Sequence, residues 1–140
     1  MGLDDSTAKM SKSTQRPYHA VGLLDNADTI WAGIRRAVTD AGREIRFSTA
    51  PAKAGVTNLL TIYQALSGQS QQQIETHFAG KGYGELKRTV ADLVIMTLGP
   101  IQERYYAMMD DQTALDALLQ KGADTARERA AVALHTLTHF

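Results

Sequence analysis

Ala54-Gly55-Val56-Thr57-Asn58-Leu59-Leu60-Thr61-Ile62-Tyr63-Gln64-Ala65-Leu66-Ser67-Gly68 decides the fold class of this chain. Leu59, Leu60, Ile62, Tyr63 and Leu66 recur at helical spacing and so share the core face of a helix opened by Thr57 or Asn58. Gly68 stands at the C′ position, where glycine takes the left-handed conformation without steric cost. Downstream the pattern repeats. Ser70 is the expected cap of a short helix carrying Ile74 and Phe78 and closed by Gly80. Gly82-Tyr83-Gly84 leads into the longest periodic stretch, in which Leu86, Val90, Leu93, Val94, Ile101, Tyr105 and Met108 hold register almost to Met109. Gly99-Pro100 should kink or split it, since proline removes a backbone donor and crowds the preceding turn. Asp110 or Asp111 should cap a short helix bearing Leu115, Leu118 and Leu119 and ended by Gly122. An alanine-rich final helix is expected from about Asp124 to His139.

Upstream of Ala54 the pattern is mixed. Residues 1–17 are polar and loop-like, and with few apolar anchors beyond Met10 the stretch 4–16 is expected to be mobile. His19 to Leu24 is a short apolar run that reads as a strand. Asp25 and Asp28 supply a cap and an early-turn acid for a helix from about Ala27 to Thr39. Ile30, Trp31, Ile34 and Val38 form its apolar face, with Arg35 and Arg36 toward the other side, and Asp40-Ala41-Gly42 ends it. Ile45-Arg46-Phe47 is a second strand-like scrap, followed by a turn-rich stretch from Ser48 to Gly55. There is no internal repeat and no low-complexity segment.

Composition narrows the function classes. The 140 residues fit one domain, or one small domain plus a remnant of another, and a hydrophobic fraction of 44% suffices for a core. With no cysteine, disulfides and thiolate metal sites are excluded, and an intracellular, cytoplasmic protein is the simplest expectation. The opening Met1-Gly2-Leu3-Asp4-Asp5 carries acids and is not a targeting signal. No apolar run approaches the roughly 20 residues of a membrane span, so no membrane partner is expected. Fifteen basic and fifteen acidic residues cancel, so any nucleic-acid contact must come from local basic patches.

One stretch carries phosphate chemistry. Lys9-Met10-Ser11-Lys12-Ser13 places two lysines on small hydroxylated neighbours that keep the backbone flexible. Such a loop can bring its ammonium groups onto a triphosphate and stabilise the charge that builds on the leaving pyrophosphate. A solvated basic loop is the plain alternative. Two other basic groups stand out: Arg35 and Arg36 with Arg43 and Arg46, and Lys81, Lys87 and Arg88 around a glycine-rich turn. Each could hold RNA phosphates or simply form a solvated face. Asp40 could accept from a cytosine amino group or merely end a helix. Trp31 and Tyr83 could stack on bases, but Trp31 lies on the apolar face and reads as core. His135 and His139 have the spacing of helical metal ligands, but with no general base between them no metal site is assigned. His19 and His77 have no partner in sequence and are assigned no chemistry.

The pentapeptide resembles the second ATP-binding motif of class I aminoacyl-tRNA synthetases. The chain further resembles the C-terminal part of bacterial tryptophanyl-tRNA synthetases. Ala8-Lys9-Met10-Ser11-Lys12-Ser13, Arg36-Ala37-Val38-Thr39-Asp40, Ala54-Gly55-Val56-Thr57-Asn58-Leu59-Leu60, Gly80-Lys81-Gly82-Tyr83-Gly84-Glu85-Leu86-Lys87 and Gln102-Glu103-Arg104-Tyr105 follow the family's order and spacing. The resemblance implies a mainly α fold, a helical bundle of anticodon-binding type over residues 25–140. Residues 1–24 would hold the KMSKS loop and a short strand remnant of a class I nucleotide-binding fold. It implies ATP with Mg²⁺ as the nucleotide, contacted at Lys9, Met10, Ser11, Lys12 and Ser13, with Lys9 and Lys12 stabilising the transition state. It implies tRNA(Trp) as partner through Arg35, Arg36, Asp40, Lys81, Lys87 and Arg88. A homodimer in the intact enzyme is implied too, as is pairing with an N-terminal nucleotide-binding part. In the family, the first ATP motif and the amino-acid pocket lie upstream of KMSKS. This chain is therefore expected to be a C-terminal fragment of tryptophan–tRNA ligase, inactive by itself and without bound ATP. A stand-alone, non-catalytic helical module binding tRNA or a partner protein is the other reading.

Overall fold

A computed structural model of the chain describes residues 1–11 and 16–138, with side chains described through residue 131. Among the described residues five α-helices and one short 3₁₀ turn make up the regular structure, and there is no strand. The helices are α1 (Ala27–Arg36), α2 (Ala54–Ser67), α3 (Gln71–Phe78), α4 (Tyr83–Asp110) and α5 (Gln112–Thr138).

Local chemistry accounts for most of the boundaries. Asn26 caps α1, its Oδ1 accepting from the Thr29 amide at 2.8 Å, and Asp28 lies in the first turn as the sequence suggested. The expected cap Asp25 instead accepts from the Gly22 amide at 2.8 Å and tightens the preceding turn. Helix α1 stops at Arg36, three residues short of expectation, because the Val38 amide leaves the helix to donate to the Leu3 carbonyl at 2.8 Å. Val38 is consequently exposed rather than part of the apolar face.

Helix α2 opens at Ala54, after the 3₁₀ turn Pro51–Lys53, and not at Thr57 or Asn58. Those two side chains serve as clamps. Thr57 Oγ1 donates to the Ser48 carbonyl at 3.0 Å, and the Asn58 amide donates to the Met1 and Gly2 carbonyls at 3.2 and 3.1 Å. Gly68 ends α2 with φ 68°, in the left-handed region as expected. Ser70 and Gln73 form a reciprocal capping box at the start of α3.

Neither Pro100 nor Gly122 divides its helix. Helix α4 runs through Pro100, which is exposed together with Met96, so the carbonyl that loses its partner can reach water. Helix α5, capped by Asp111 Oδ1 on the Ala114 amide at 3.0 Å, runs through Gly122. Gly122 does not take a left-handed φ, and a mid-helix glycine costs only about 1 kcal/mol relative to alanine.

The two strand-like runs form no strand. Residues 17–20 and 23–24 make turns and bends with irregular chain between them, and Ile45-Arg46-Phe47 forms no strand either. Ile45 is nevertheless buried, and the Phe47 amide donates to Glu75 Oε1 at 2.8 Å, so side-chain anchoring replaces a ladder.

The chain divides into two compact units, Met1–Ile101 and Gln102–Phe140. The first holds the hydrophobic core: Ile30 and Ile34 of α1, Val56, Leu59 and Leu60 of α2, Ile74 and Phe78 of α3, and Leu86, Val90 and Val94 of α4. Leu3 of the N-terminal segment joins them at 2% exposure, and Trp31 packs against the cluster as the sequence suggested. The second unit comprises the end of α4 and α5. It exposes Tyr105, Tyr106, Met108, Met109, Leu118 and Leu119, and Asp124 there accepts from Arg127 at 2.7 Å and from Gln120 at 3.0 Å.

Candidate functional site

The first half of the KMSKS stretch sits on a polar scaffold built from the two segments that flank it. Leu3 anchors the N-terminal segment in the core, and the Gly2 amide donates to the Ala8 carbonyl at 2.7 Å, closing a compact turn. Asp5 Oδ1 organises that turn by accepting from the Thr7 amide and hydroxyl at 3.0 and 2.6 Å. Those two hydrogen bonds hold the Asp5 carboxyl below the usual carboxylate range. Met10 is half-buried against the core, while Lys9 and Ser11 are exposed. Hydrogen bonds thus reach this segment as far as Lys9, where the sequence offered few apolar anchors. Lys12 and Ser13 lie outside the described residues.

His19 is the fully buried polar residue behind the loop, at 2% exposure. Its Nδ1 faces Asp4 Oδ1 and its Nε2 lies 3.2 Å from the Lys9 carbonyl oxygen. Arg16 Nη1 lies 3.4 Å from Asp4 and 3.9 Å from Asp5. The hydrogen bond from His19, aided by the charge of Arg16, holds the Asp4 carboxyl below its ordinary value against a partial desolvation. Nothing in the sequence signalled this pair: the partners are fifteen residues apart and share no periodic face.

A second polar centre joins the α1–α2 connection to the start of α4. The Tyr83 hydroxyl donates to Asp40 Oδ1 at 2.7 Å, and the Gly42 amide donates to the same oxygen at 2.6 Å. Lys53 Nζ lies 3.1 Å from Asp40 Oδ2 and donates to Tyr83 Oη at 3.2 Å. The hydrogen bond from Tyr83 lowers the Asp40 pKa, while the one to Tyr83 raises that of Lys53. Desolvation raises the pKa of Tyr83 itself. Asp40 is thus engaged internally, and Tyr83 spends its hydroxyl on this network.

The remaining basic candidates divide by what already holds them. Arg36 lies over the Tyr18 ring, its guanidinium carbon 4.4 Å from the centroid. Lys87 donates to the Arg35 carbonyl at 3.1 Å, satisfying a carbonyl at the end of α1, and burial lowers its pKa. Arg88 pairs with Glu85 at 3.7 Å. Arg35 is exposed, and among the described residues no ion pair holds it. Lys81 instead meets Arg43 and Arg46 across a cleft of about 660 Å³, whose lining also includes Glu44 and Glu75. The sequence kept these basic residues in separate clusters; the irregular path of residues 43–47 beside the α3–α4 turn brings them together. His77 stacks on Tyr63 with ring centroids 6.2 Å apart. Among the described residues no group of three His, Cys, Asp or Glu side chains is placed to hold a metal. His139 and the side chain of His135 lie outside the described residues. Among the described residues no helix is long and apolar enough to cross a membrane.

Comparison with known proteins puts these features in a family. The family model for class I tRNA synthetases (W and Y) matches residues 1–99. The chain belongs to that family. Similar proteins include the tryptophan–tRNA ligase of Wolinella succinogenes, 48% identical over 130 residues, which are 93% of this chain and 39% of that enzyme. The enzyme of the same name from Gloeobacter violaceus is 42% identical over 98% of this chain and 40% of its own length. The crystal structure of tryptophanyl-tRNA synthetase from Mycoplasma pneumoniae superposes with a TM-score of 0.83 at 30% identity, covering 94% of this chain and 40% of that one. The chain thus spans about two fifths of the length of the synthetases it matches.

Proposed function

We propose that this chain supplies the KMSKS loop and the helical tRNA-binding part of a tryptophan–tRNA ligase, the enzyme that activates tryptophan with ATP and transfers it to tRNA(Trp). Residues 1–24 serve the nucleotide site and residues 25–140 the RNA. The observation that carries this reading is the placement of Lys9-Met10-Ser11 on a hydrogen-bonded turn that is anchored in the helical core by Leu3 and Met10. A loop fixed at its root and exposed at Lys9 can present a cation to a triphosphate.

In this reading ATP binds over Lys9–Ser13, and the ammonium groups of Lys9 and Lys12 neutralise charge as pyrophosphate departs. Because that charge grows in the transition state, the contact accelerates activation more than it tightens ground-state binding. Mg²⁺ belongs to the same proposal, as the counter-ion of the nucleotide phosphates. A nucleotide-binding partner segment, the tryptophan pocket and the homodimer belong to the same proposal, as does a cytoplasmic location. The 140 residues alone should not catalyse exchange, since aligning the reactants can be worth about 7–11 kcal/mol and KMSKS does not align them by itself.

RNA binding is assigned to the cleft of Arg43, Arg46 and Lys81, with Arg35 and Arg88 as exposed additions. Arg36, Asp40 and Lys87 contribute indirectly, by holding the surfaces around them. The test is a chimaera in which this chain replaces the matching two fifths of the Wolinella succinogenes enzyme. Tryptophan-dependent ATP–pyrophosphate exchange and tRNA charging are expected. A folded chimaera that binds tRNA but never exchanges would favour the non-catalytic module.

A further inference from the structure

The buried histidine behind the loop faces acceptors at both ring nitrogens: a carboxylate oxygen of Asp4 and the carbonyl oxygen of Lys9. A neutral imidazole carries one N–H and one lone pair, so it satisfies one acceptor and directs its lone pair at the other. Only the doubly protonated ring can donate to both. We propose that His19 is the positioning residue of the phosphate loop, its imidazolium donating to Asp4 and to the Lys9 carbonyl and thereby holding the first residue of KMSKS against the acidic turn. The docking is conditional on that proton: when the ring loses it, the Lys9 peptide or the Asp4 turn loses its donor and the root of the loop is released.

The surroundings are consistent with a built position. Gly2 lies so close that a Cβ there would come within 2.3 Å of His19 Cε1, so the ring leaves no space for any other residue. The His19 carbonyl accepts from the Leu3 amide at 2.9 Å, joining ring and backbone to the same segment. The preceding residue, Tyr18, has φ 62°, a left-handed conformation that strains a bulky side chain. That turn sends Tyr18 outward to stack with Arg36 and His19 inward to the loop. The other charged groups at hand are Asp5 and Arg16, which are tied to the Asp4 side of the ring, and Arg36 of α1 over Tyr18. Helix α2 contributes the neutral Asn58 amide, which fixes the Met1 and Gly2 carbonyls.

The inference uses the phosphate-loop reading only for its consequence; the docking is measured on the chain itself, without activity. With ¹⁵N-labelled 140-residue protein, both His19 ring nitrogens should show the chemical shifts of N–H at acidic pH. On raising the pH, the Met10 amide, which shares the Lys9 peptide unit, should move with the midpoint of the ring. His19→Phe keeps the bulk and removes both donors; it should speed amide exchange at Gly2 and Ala8 by roughly ten- to a hundredfold, the ratio of a lost charge-assisted hydrogen bond. Amides of α2 should keep their protection, and His19→Gln should recover part of the loss. If the Phe variant fails to fold, the wild-type titration decides alone. A ring with one N–H throughout, a Met10 resonance that ignores its titration, or wild-type exchange in a folded His19→Phe protein would overturn the proposal, leaving the phosphate-loop reading intact.

Discussion

Replacing Arg43, Arg46 and Lys81 together by alanine should remove most of the salt dependence of tRNA binding. Of the basic residues on the first unit, Arg36 is stacked on Tyr18, Lys53 is held by Asp40 and Lys87 caps α1, so none of these is spare for a phosphate. The three residues of the cleft are held more loosely: Arg46 has an exposed contact with Glu44 at 3.2 Å, and Lys81 has an exposed one with His77 Nε2 at 3.3 Å, its ammonium 5.5 Å from the Phe78 ring centroid. About three phosphate contacts give a log–log salt slope of about −2.1 to −2.7, using 0.7–0.9 counterions released per contact. Between 50 and 200 mM salt, affinity should then fall by roughly 20- to 40-fold. The triple variant should remove about 2.1–2.7 from the slope, leaving the share of Arg35 and Arg88, and each single variant should reduce it by about 0.7–0.9. Arg36→Ala should leave the slope unchanged, because its guanidinium is already spent on an aromatic face. Fluorescence anisotropy of labelled tRNA against the 140-residue chain at a series of KCl concentrations reads all of this directly. A triple variant that retains the wild-type slope, or an Arg36→Ala variant that loses it, would refute the assignment of the cleft.

Three further outcomes follow from the same packing. Phe78→Ala should cost about 3–5 kcal/mol, since the ring is 1% exposed and packs edge-on against Tyr63 with centroids 5.3 Å apart. Met96→Ala, at 74% exposure, should change urea stability by less than about 0.5 kcal/mol. On acidification, stability should fall as the pH drops through about 3.8 and below: the carboxyls of Asp4, Asp5 and Asp40 are depressed in the fold, so in that window the unfolded chain binds more protons. Tyr83→Phe removes the largest cause of the Asp40 depression and should make the acid branch of a urea-midpoint profile shallower; an unchanged profile would show that Asp40 is held by other groups.

What could be read from residues alone was whatever depends on near neighbours in sequence. The 3.6-residue period of α2, the Ser70 cap, Gly68 at C′ and the Asp111 cap are all settled within a turn or two of chain, and each is found. Gly122 misled because a mid-helix glycine costs only about 1 kcal/mol, which a long helix absorbs, and at Pro100 the helix is not split. The apolar run His19–Leu24 looked like a strand since composition cannot say whether a partner edge is present; in the fold a turn at Tyr18 carries His19 inward while Leu23 and Leu24 stay exposed. KMSKS was legible as a motif. Its support was not, because the Asp4–His19–Lys9 contacts span loops with no period. Likewise Asp40 could be flagged as polar and helix-ending, but its engagement by Tyr83, 43 residues away, is a tertiary fact.

Pre-steady-state activation by the chimaera bearing this chain, with and without Lys12→Ala, tests the central claim most directly. Contact with the departing pyrophosphate predicts a fall of about 10²–10³-fold in the rate of adenylate formation, the scale of losing one preorganised charge-stabilising group. Tryptophan affinity should move by less than about threefold, because the contact strengthens only as the leaving group charges. An equal loss in tryptophan affinity and rate, or a Lys12→Ala chimaera as fast as the parent, would contradict the assignment of Lys9–Ser13 as the phosphate loop.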